Sequence, residues 1–272
     1  MKPTALRLAP CLLASVFVAM PHAGHAQTLA GWGSRLLGDT TDFIIGAAAR
    51  VTPRYPGSDD HRVEILPVLS VQRGIFFADT SRGIGLQWQS ESGFYASQSV
   101  FYDFGRVQRN SPFRPGSRKL AGLGDVPDSV TTRTLLMQQF TPDFSVSAEA
   151  EFALESGARR NRYRLGAEYN LLKTSADTVS LSADVHAGDR RYNQAYFGVT
   201  PQQASRTRFA AFNAGSGVYG YAIGASWSHA LAPHWTTSLQ VSALRYVDNA
   251  EHSPLVVRRT SVTGGAAVTY TY

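Results

Sequence analysis

Apolar and polar residues alternate with a period of two in several segments of the chain. The segment that starts at Phe144 reads FSVSAEAEFALE, and the segments at 161–171 and 178–187 repeat the alternation. Successive side chains of a strand point to opposite faces of a sheet, so each segment is predicted to be a strand of about ten residues. In the first of them one face carries Phe144, Val146, Ala148, Ala150, Phe152 and Leu154, and the other carries Ser145, Ser147, Glu149, Glu151 and Glu155.

The length of these strands favours a membrane protein. About ten residues cross a bilayer as a tilted strand, whereas strands of soluble sandwiches usually have about five or six. Tyr219, Tyr221, Ile223, Ala225 and Trp227 are predicted to share a lipid-facing side that is aromatic at both ends. The C-terminal sequence VTGGAAVTYTY also alternates and ends on an aromatic residue, as the closing strands of outer-membrane barrels do. The pattern predicts an all-β fold, a transmembrane antiparallel up-and-down β-barrel in the outer membrane of a Gram-negative cell.

Twelve strands are predicted, and their even number suits a bacterial barrel. The segment at 75–79 has the weakest pattern, and a ten-strand barrel with 75–90 in a loop is the alternative. The even-numbered connections are short and rich in turn residues, so they are predicted to face the periplasm, with the longer connections outside. The predicted strands are 43–52, 63–72, 75–79, 84–90, 94–104, 131–140, 144–154, 161–171, 178–187, 217–230, 235–246 and 257–272.

The N-terminal sequence predicts export. Lys2 and Arg7 precede an apolar run at 12–20, and small residues flank His25 before Gln27. This order is typical of a cleaved signal peptide. The predicted organisation is a signal peptide over 1–26, an N-terminal periplasmic or lumen segment over 27–42, and an outer-membrane barrel over 43–272.

Composition excludes several classes of function. The 26 basic and 20 acidic residues give a net charge of +6, but the basic residues occur in pairs rather than in a tract, so no nucleic-acid partner is expected. Cys11 is the only cysteine and lies in the predicted signal peptide, which excludes disulfides and cysteine chemistry in the exported chain. No metal-binding motif or phosphate loop is present, so no metal or cofactor is predicted.

Charged residues are predicted to line the lumen on three neighbouring strands. Opposite charges there can line a wet channel, or they can pair across the strands and close it, and the sequence leaves both open. The lumen-lining candidates are Glu149, Glu151, Arg162, Arg164, Glu168, Asp184 and His186.

Three groups of residues are candidates for catalysis at the barrel rim. Asp184 and His186 share one strand face, where a carboxylate could orient an imidazole. The other groups are Asp59-Asp60-His61 and His252-Ser253. No serine elbow or paired-carboxylate motif accompanies them, so a structural role is expected and the protein is predicted not to be an enzyme.

Five stretches of the predicted loops resemble the MipA/OmpV family of outer-membrane proteins. They are YPGSDD from Tyr55, YDFGR from Tyr102, GLGD from Gly122, YNQAYFGVT from Tyr192 and SPLV from Ser253. The chain departs from the family pattern at His252 and at Arg206-Thr207-Arg208. The loop residues that carry the resemblance are Tyr55, Gly57, Ser58, Asp59, Gly122, Gly124, Asp125, Tyr196, Phe197, Gly198, Ser253 and Pro254.

The resemblance implies a scaffold that brings a lytic transglycosylase together with a penicillin-binding murein synthase, in a barrel surrounded by outer-membrane lipid and lipopolysaccharide. Such partners lie in the periplasm, whereas the predicted topology puts the family stretches outside or in the lumen. Either the topology is inverted, or these stretches serve barrel closure and lumen packing. A diffusion channel for small polar solutes is the alternative function.

Overall fold

The chain forms a closed antiparallel barrel in which each strand pairs with the next and the twelfth returns to the first. The computed structural model describes Gly38 and residues 40–155 and 161–272. The predicted barrel is confirmed, and the ten-strand alternative is wrong because the short third strand pairs with both neighbours. The strands are β1 (Thr41–Pro53), β2 (His61–Arg73), β3 (Phe76–Asp79), β4 (Gly83–Gln89), β5 (Phe94–Asp103), β6 (Ser129–Gln139), β7 (Phe144–Ala153), β8 (Asn161–Lys173), β9 (Asp177–Gly188), β10 (Gly217–Ala232), β11 (Trp235–Tyr246) and β12 (Thr260–Thr271).

The predicted signal peptide over 1–26 lies outside the described residues, as does most of the predicted segment 27–42. Within the described part of the chain, no helix is both long and apolar enough to cross a membrane.

The alternating pattern separates an apolar outer wall from a packed interior. Ile65 is 82% exposed and Ile223 67% exposed on the outer face. Their strand neighbours Glu64 and Ala222 point inward and are buried. An exposed apolar surface of this extent is costly in water and favourable in lipid, so the outer wall is that of a membrane-spanning barrel.

A β-bulge corrects one predicted face. The register between β9 and β10 shifts between Val218 and Gly220, which turns Tyr219 into the interior. Tyr219 is therefore buried, while Tyr221 and Ile223 keep their outward positions. The alternation in the sequence runs through this point without a break, and the extra residue becomes visible only when β10 is paired with β9.

The two ends of the barrel differ in the length of their connections. The even-numbered connections are tight turns, such as the one at Gly74-Ile75, and the start of β1 and the end of β12 lie on their side. Long loops and short helices occupy the other end, and the sequence did not predict these helices. The helices are a 3-10 helix (Arg118–Leu120), α1 (Arg190–Phe197), α2 (Pro201–Ala204) and α3 (Asp248–Glu251). By the usual asymmetry of such barrels, we expect the turn end to be periplasmic and the loop end to be external.

The last three residues are predicted to matter for barrel closure. The Tyr272 amide donates to the Phe43 carbonyl at 2.9 Å, and the Tyr270 ring lies 5.2 Å from the Trp235 ring. Deleting 270–272 should lower the yield of folded barrel because the seam between β12 and its two neighbours loses backbone pairs. The measurement is the heat-modifiable band on a gel after refolding. The control is Tyr221→Ala, which removes an outward aromatic ring away from the seam, and equal yields from the two variants would contradict the prediction.

Candidate functional site

Four loops meet across the external mouth of the barrel and form what we call the cap. They are residues 54–60, 104–128, 189–216 and 247–259. The second and fourth loops leave from opposite sides of the barrel, six strands apart in the ring. Their side chains nevertheless pack together, so the cap crosses the mouth rather than standing around it.

The loop cluster is one of two apolar clusters in the cap. Leu120 and Leu123 from the second loop pack with Leu255 from the fourth and with Tyr55 from the first. Tyr55 is 1% exposed and Leu255 is fully buried. Burial of this extent holds the four loops together, because each side chain would have to return to water before a loop could leave. The cluster consists of Tyr55, Leu120, Leu123, Val199, Phe209 and Leu255.

The aromatic cluster joins the cap to the barrel wall. Phe197 from α1 contacts the rings of Tyr219 and Tyr246, with centroids 5.4 and 5.8 Å away. Tyr192 and Tyr196 add rings from the same helix. Asp189 caps this helix by accepting from the Tyr192 amide at 2.7 Å, which fixes the direction of α1 into the mouth. The cluster consists of Val126, Tyr192, Tyr196, Phe197, Ala214, Tyr219, Tyr246 and Ala250.

Hydrogen bonds between residues far apart in the sequence fix the positions of the cap loops relative to one another. Ser253 donates from Oγ to the Phe197 carbonyl at 2.5 Å, and the Gly57 amide donates to the Tyr246 hydroxyl at 3.0 Å. Gly57 has φ +81°, and a Cβ there would lie 2.7 Å from Val256. A side chain at this position would therefore force the first and fourth loops apart.

The remaining residues of the resemblance support the same loops. The Gly122 and Gly124 amides donate to Gln108 Oε1, and Asp125 accepts from the Gln108 amide at 2.9 Å. Ser58 is buried beside Tyr55. Gly198 ends α1, and Pro254 lies in the turn between Ser253 and Leu255.

Burial and ion pairing shift the pKa values of three ionisable groups of the cap. Burial raises the pKa of the Tyr55 hydroxyl, and the nearby Asp59 charge adds to this effect. The Arg106 guanidinium donates to the Tyr196 carbonyl at 3.2 Å, and its burial lowers its pKa. A hydrogen bond from Lys119 at 2.7 Å lowers the pKa of Asp59. The cap interior therefore holds one buried positive charge, while its carboxylates stay near the surface.

Below the cap, charged residues of four adjacent strands form a paired network on the inner wall. Glu151 is fully buried and accepts from Arg162 at 2.8 Å and from Arg133 at 3.2 Å. Arg164 forms two ion pairs, one with Glu149 at 3.3 Å and one with Asp184 at 2.9 Å. Five of these six residues were candidates from the sequence, and Arg133 was missed because β6 does not alternate cleanly.

A glycine makes room for the pair at the centre of this network. A Cβ on Gly166 would lie 2.4 Å from Asp184 Oδ1 and 2.8 Å from the Arg164 Nη1. Glu168, the next inward position of β8, is also buried. A second cluster on β1 and β2, in which Arg50 and Arg62 both pair with Glu64, was not among the candidates either. The alternation of charged and apolar residues from Arg62 to Ile65 is the sequence signal that could have suggested this cluster.

The candidate catalytic groups have structural partners in this geometry. Asp184 pairs with Arg164, while His186 stacks on Tyr219 at 5.8 Å. Asp59 and Asp60 both bind Lys119. His252 Nδ1 lies 2.7 Å from the Asp248 carbonyl, and the Ser253 hydroxyl is committed to a backbone carbonyl. None of these contacts places an imidazole on a nucleophile within the described residues.

Comparison with solved structures gives several β-barrels of the outer membrane, all with low sequence identity. The chain is similar to a NanC porin, with 9% identity over 85% of this chain and 99% of that one, at a TM-score of 0.39. It is also similar to the CymD monoaromatic hydrocarbon channel, with 11% identity over 84% and 87% of the two chains, again at 0.39. A loop-deletion form of OmpT from Vibrio cholerae has 6% identity over 86% and 99%, at 0.37. At these scores the similarities say nothing about what this chain binds or transports.

Comparison with curated proteins gives no match. Comparison with protein families gives a match to the model described as MltA-interacting protein MipA, over residues 45–272. The matched region includes every strand from β2 to β12 and all four loops of the cap. The predicted family is confirmed: this chain belongs to the MipA family.

Proposed function

We propose that the protein is a closed, non-enzymatic outer-membrane barrel that serves as a scaffold for a murein hydrolase and a murein synthase. The observation that carries this proposal is the cap, because side chains from opposite sides of the barrel pack across its mouth. Family membership and the apolar outer wall support the outer-membrane location. The family description supplies the link to a murein hydrolase, because it names an interaction with MltA.

The packing of the cap argues for a closed barrel. Tyr55, Phe197 and Leu255 are each at most 1% exposed, and they come from three different loops. Burial of one such side chain stabilises a fold by about 1.5–3 kcal/mol, so opening the cap would cost several times that amount. This free energy of opening would oppose the passage of every solute through the barrel.

The charges of the inner wall support the same conclusion. Arg133, Arg162 and Arg164 meet three carboxylates at short range, and Glu151 and Arg164 are buried. Charges that line a wet channel keep their hydration, whereas buried charges need partners. The network therefore favours a packed wall.

Periplasmic partners would meet the turn end of the barrel. The cap and the family stretches are at the opposite end, so we infer that these stretches maintain closure and that the turns carry the docking surface. Under this proposal the scaffold function and the predicted topology agree without inverting the barrel.

The second candidate is a diffusion channel for small polar solutes. Charged side chains also line selective pores, so their presence on the inner wall is common to both candidates and only their pairing argues for closure. Electrical conductance separates the two candidates.

A capture experiment with two orientations tests the scaffold. A barrel lacking residues 1–26 has no cysteine, so Pro142→Cys in a periplasmic turn or Arg191→Cys in the cap gives a unique attachment point. We expect the barrel that is immobilised through the cap to retain a lytic transglycosylase or murein synthase from detergent solution. Immobilisation through the turn should reduce this binding. Equal capture in the two orientations would contradict docking at the turn end, and no capture in either would contradict the scaffold itself.

The wild-type barrel is expected to be electrically silent in planar bilayers. Phe197→Asp should produce conductance steps because a carboxylate cannot stay in the aromatic cluster and the cap would loosen. Phe113→Asp makes the same change at a loop residue that is 84% exposed, and it should stay silent. Steps that scale with salt in the wild type would favour the channel instead.

Arg164→Ala is expected to destabilise the barrel by about 1–3 kcal/mol, because Asp184 and Glu149 lose a buried partner. The measurement is urea-dependent unfolding in detergent. Arg191→Ala, which removes an exposed arginine of α1, is the control and should leave the unfolding midpoint unchanged. A wet channel would instead show a smaller loss with altered ion selectivity.

A further inference from the structure

An open pocket of about 620 Å³ lies on the outer surface of the cap, and its walls carry four basic side chains. Arg118 and Lys119 come from the second loop, and Arg206 and Arg208 come from the third. No acidic residue is among the described residues that line it. The residues that line the pocket include none of the inner-wall network and none of the candidate catalytic groups, although Lys119 pairs with Asp59 and Asp60 of one such group.

Three of these four charges have no carboxylate partner in the part of the chain that the structure describes. Lys119 binds Asp59 at 2.7 Å and Asp60 at 3.2 Å, which neutralises its charge. Arg118, Arg206 and Arg208 are exposed, and no ion pair is formed by any of them with a described residue. Three like charges around one depression repel each other, and an anion between them would remove that cost.

The two walls of the pocket are held in place from below. Phe209 of the third-loop wall is buried in the loop cluster together with Leu120 of the second loop. The third loop is held further by Gln203 of α2, whose side chain donates to the Leu123 carbonyl at 2.5 Å, and by Thr207, which donates to the Gln203 carbonyl at 2.8 Å. A site with fixed walls binds a ligand at a lower entropy cost than a mobile loop would.

The Arg206–Arg208 segment also packs closely against Gly122, one of the residues of the family resemblance. A Cβ on Gly122 would lie 2.7 Å from Thr207 Cγ2 and 2.9 Å from the Arg206 carbonyl oxygen. The close approach of the second and third loops at Gly122 is therefore what brings Arg118 and Arg206 to the same depression.

We propose that this pocket binds a phosphate-bearing group, with the three exposed arginines as its ligands. A guanidinium presents two parallel N–H donors that match two phosphate oxygens, and arginine rather than lysine supplies the free charges here. The volume is within the range of small-molecule sites and fits a phosphorylated sugar. The sources are a phosphorylated saccharide headgroup of the outer leaflet, which stands at the external end of the barrel, or a free phosphorylated solute.

Direct binding to the full barrel in non-ionic detergent tests the proposal. The probes are pyrophosphate, a deep-rough lipopolysaccharide and the same lipopolysaccharide after removal of its phosphates. We expect Arg206→Gln/Arg208→Gln to weaken binding of the phosphorylated probe at least about tenfold. Arg206→Lys/Arg208→Lys keeps the charge and loses the paired donors, so it should show an intermediate loss.

Arg190→Gln/Arg191→Gln is the matched control, because it removes two exposed arginines of α1 that do not line the pocket. All three variants should keep the heat-modifiable band of the wild type.

Tenfold preference for phosphorylated over dephosphorylated lipopolysaccharide, with little competition from pyrophosphate, assigns the headgroup as the source. Full competition by pyrophosphate assigns a soluble ligand. Equal losses in the control and pocket variants, or no phosphate-dependent binding by the wild type, would overturn the proposal. None of these outcomes depends on a murein partner, so they leave the scaffold proposal to its own test.

Discussion

The pairing of β12 with β1 is the constraint on which the rest of the molecule depends. In lipid an unpaired backbone amide or carbonyl costs several kcal/mol, so a spanning sheet must have no free edge. Closure is achieved by register pairs from Ile44–Thr271 to Val51–Gly264 along the seam. Once the sheet is closed, every second side chain must face either lipid or a narrow interior. The apolar outer wall and the polar inner wall are both consequences of that single closure.

The narrow interior then determines how its charges are used. Glu151 and Arg164 are buried, and neither could remain charged without partners at short range. Their partners lie on adjacent strands, at or close to the same level of the barrel: Glu151 is opposite both Arg133 and Arg162, and Glu149 is opposite Arg164. The ion pairs therefore follow the strand register. Gly166 provides the space that lets Asp184 join them.

The cap extends the barrel by a different principle. Its loops have few regular backbone pairs, so side-chain burial and a small number of loop-to-loop hydrogen bonds hold them together. Residues of all four loops contribute, which explains why the residues of the family resemblance are scattered along the chain yet meet in space. This arrangement leaves the outer surface of the cap free for basic residues such as Arg206 and Arg208, which the packing below does not need.

The sequence by itself determined the barrel, ten of its strands and the lipid-facing side of most of them, because a period of two is a local property that survives any arrangement of neighbours. The count of twelve was decided by the pairing of β3 with β2 and β4. It also identified five members of the inner-wall network, since inward charges are conspicuous in an alternating strand. It could not place Tyr219, because the bulge exists only in the pairing of β10 with β9. It could not find Arg133 or the helices of the cap. Only the tertiary structure decided that Tyr55, Leu120 and Leu255 meet across the mouth, because their contacts join loops from opposite sides of the ring and no local pattern encodes such distances.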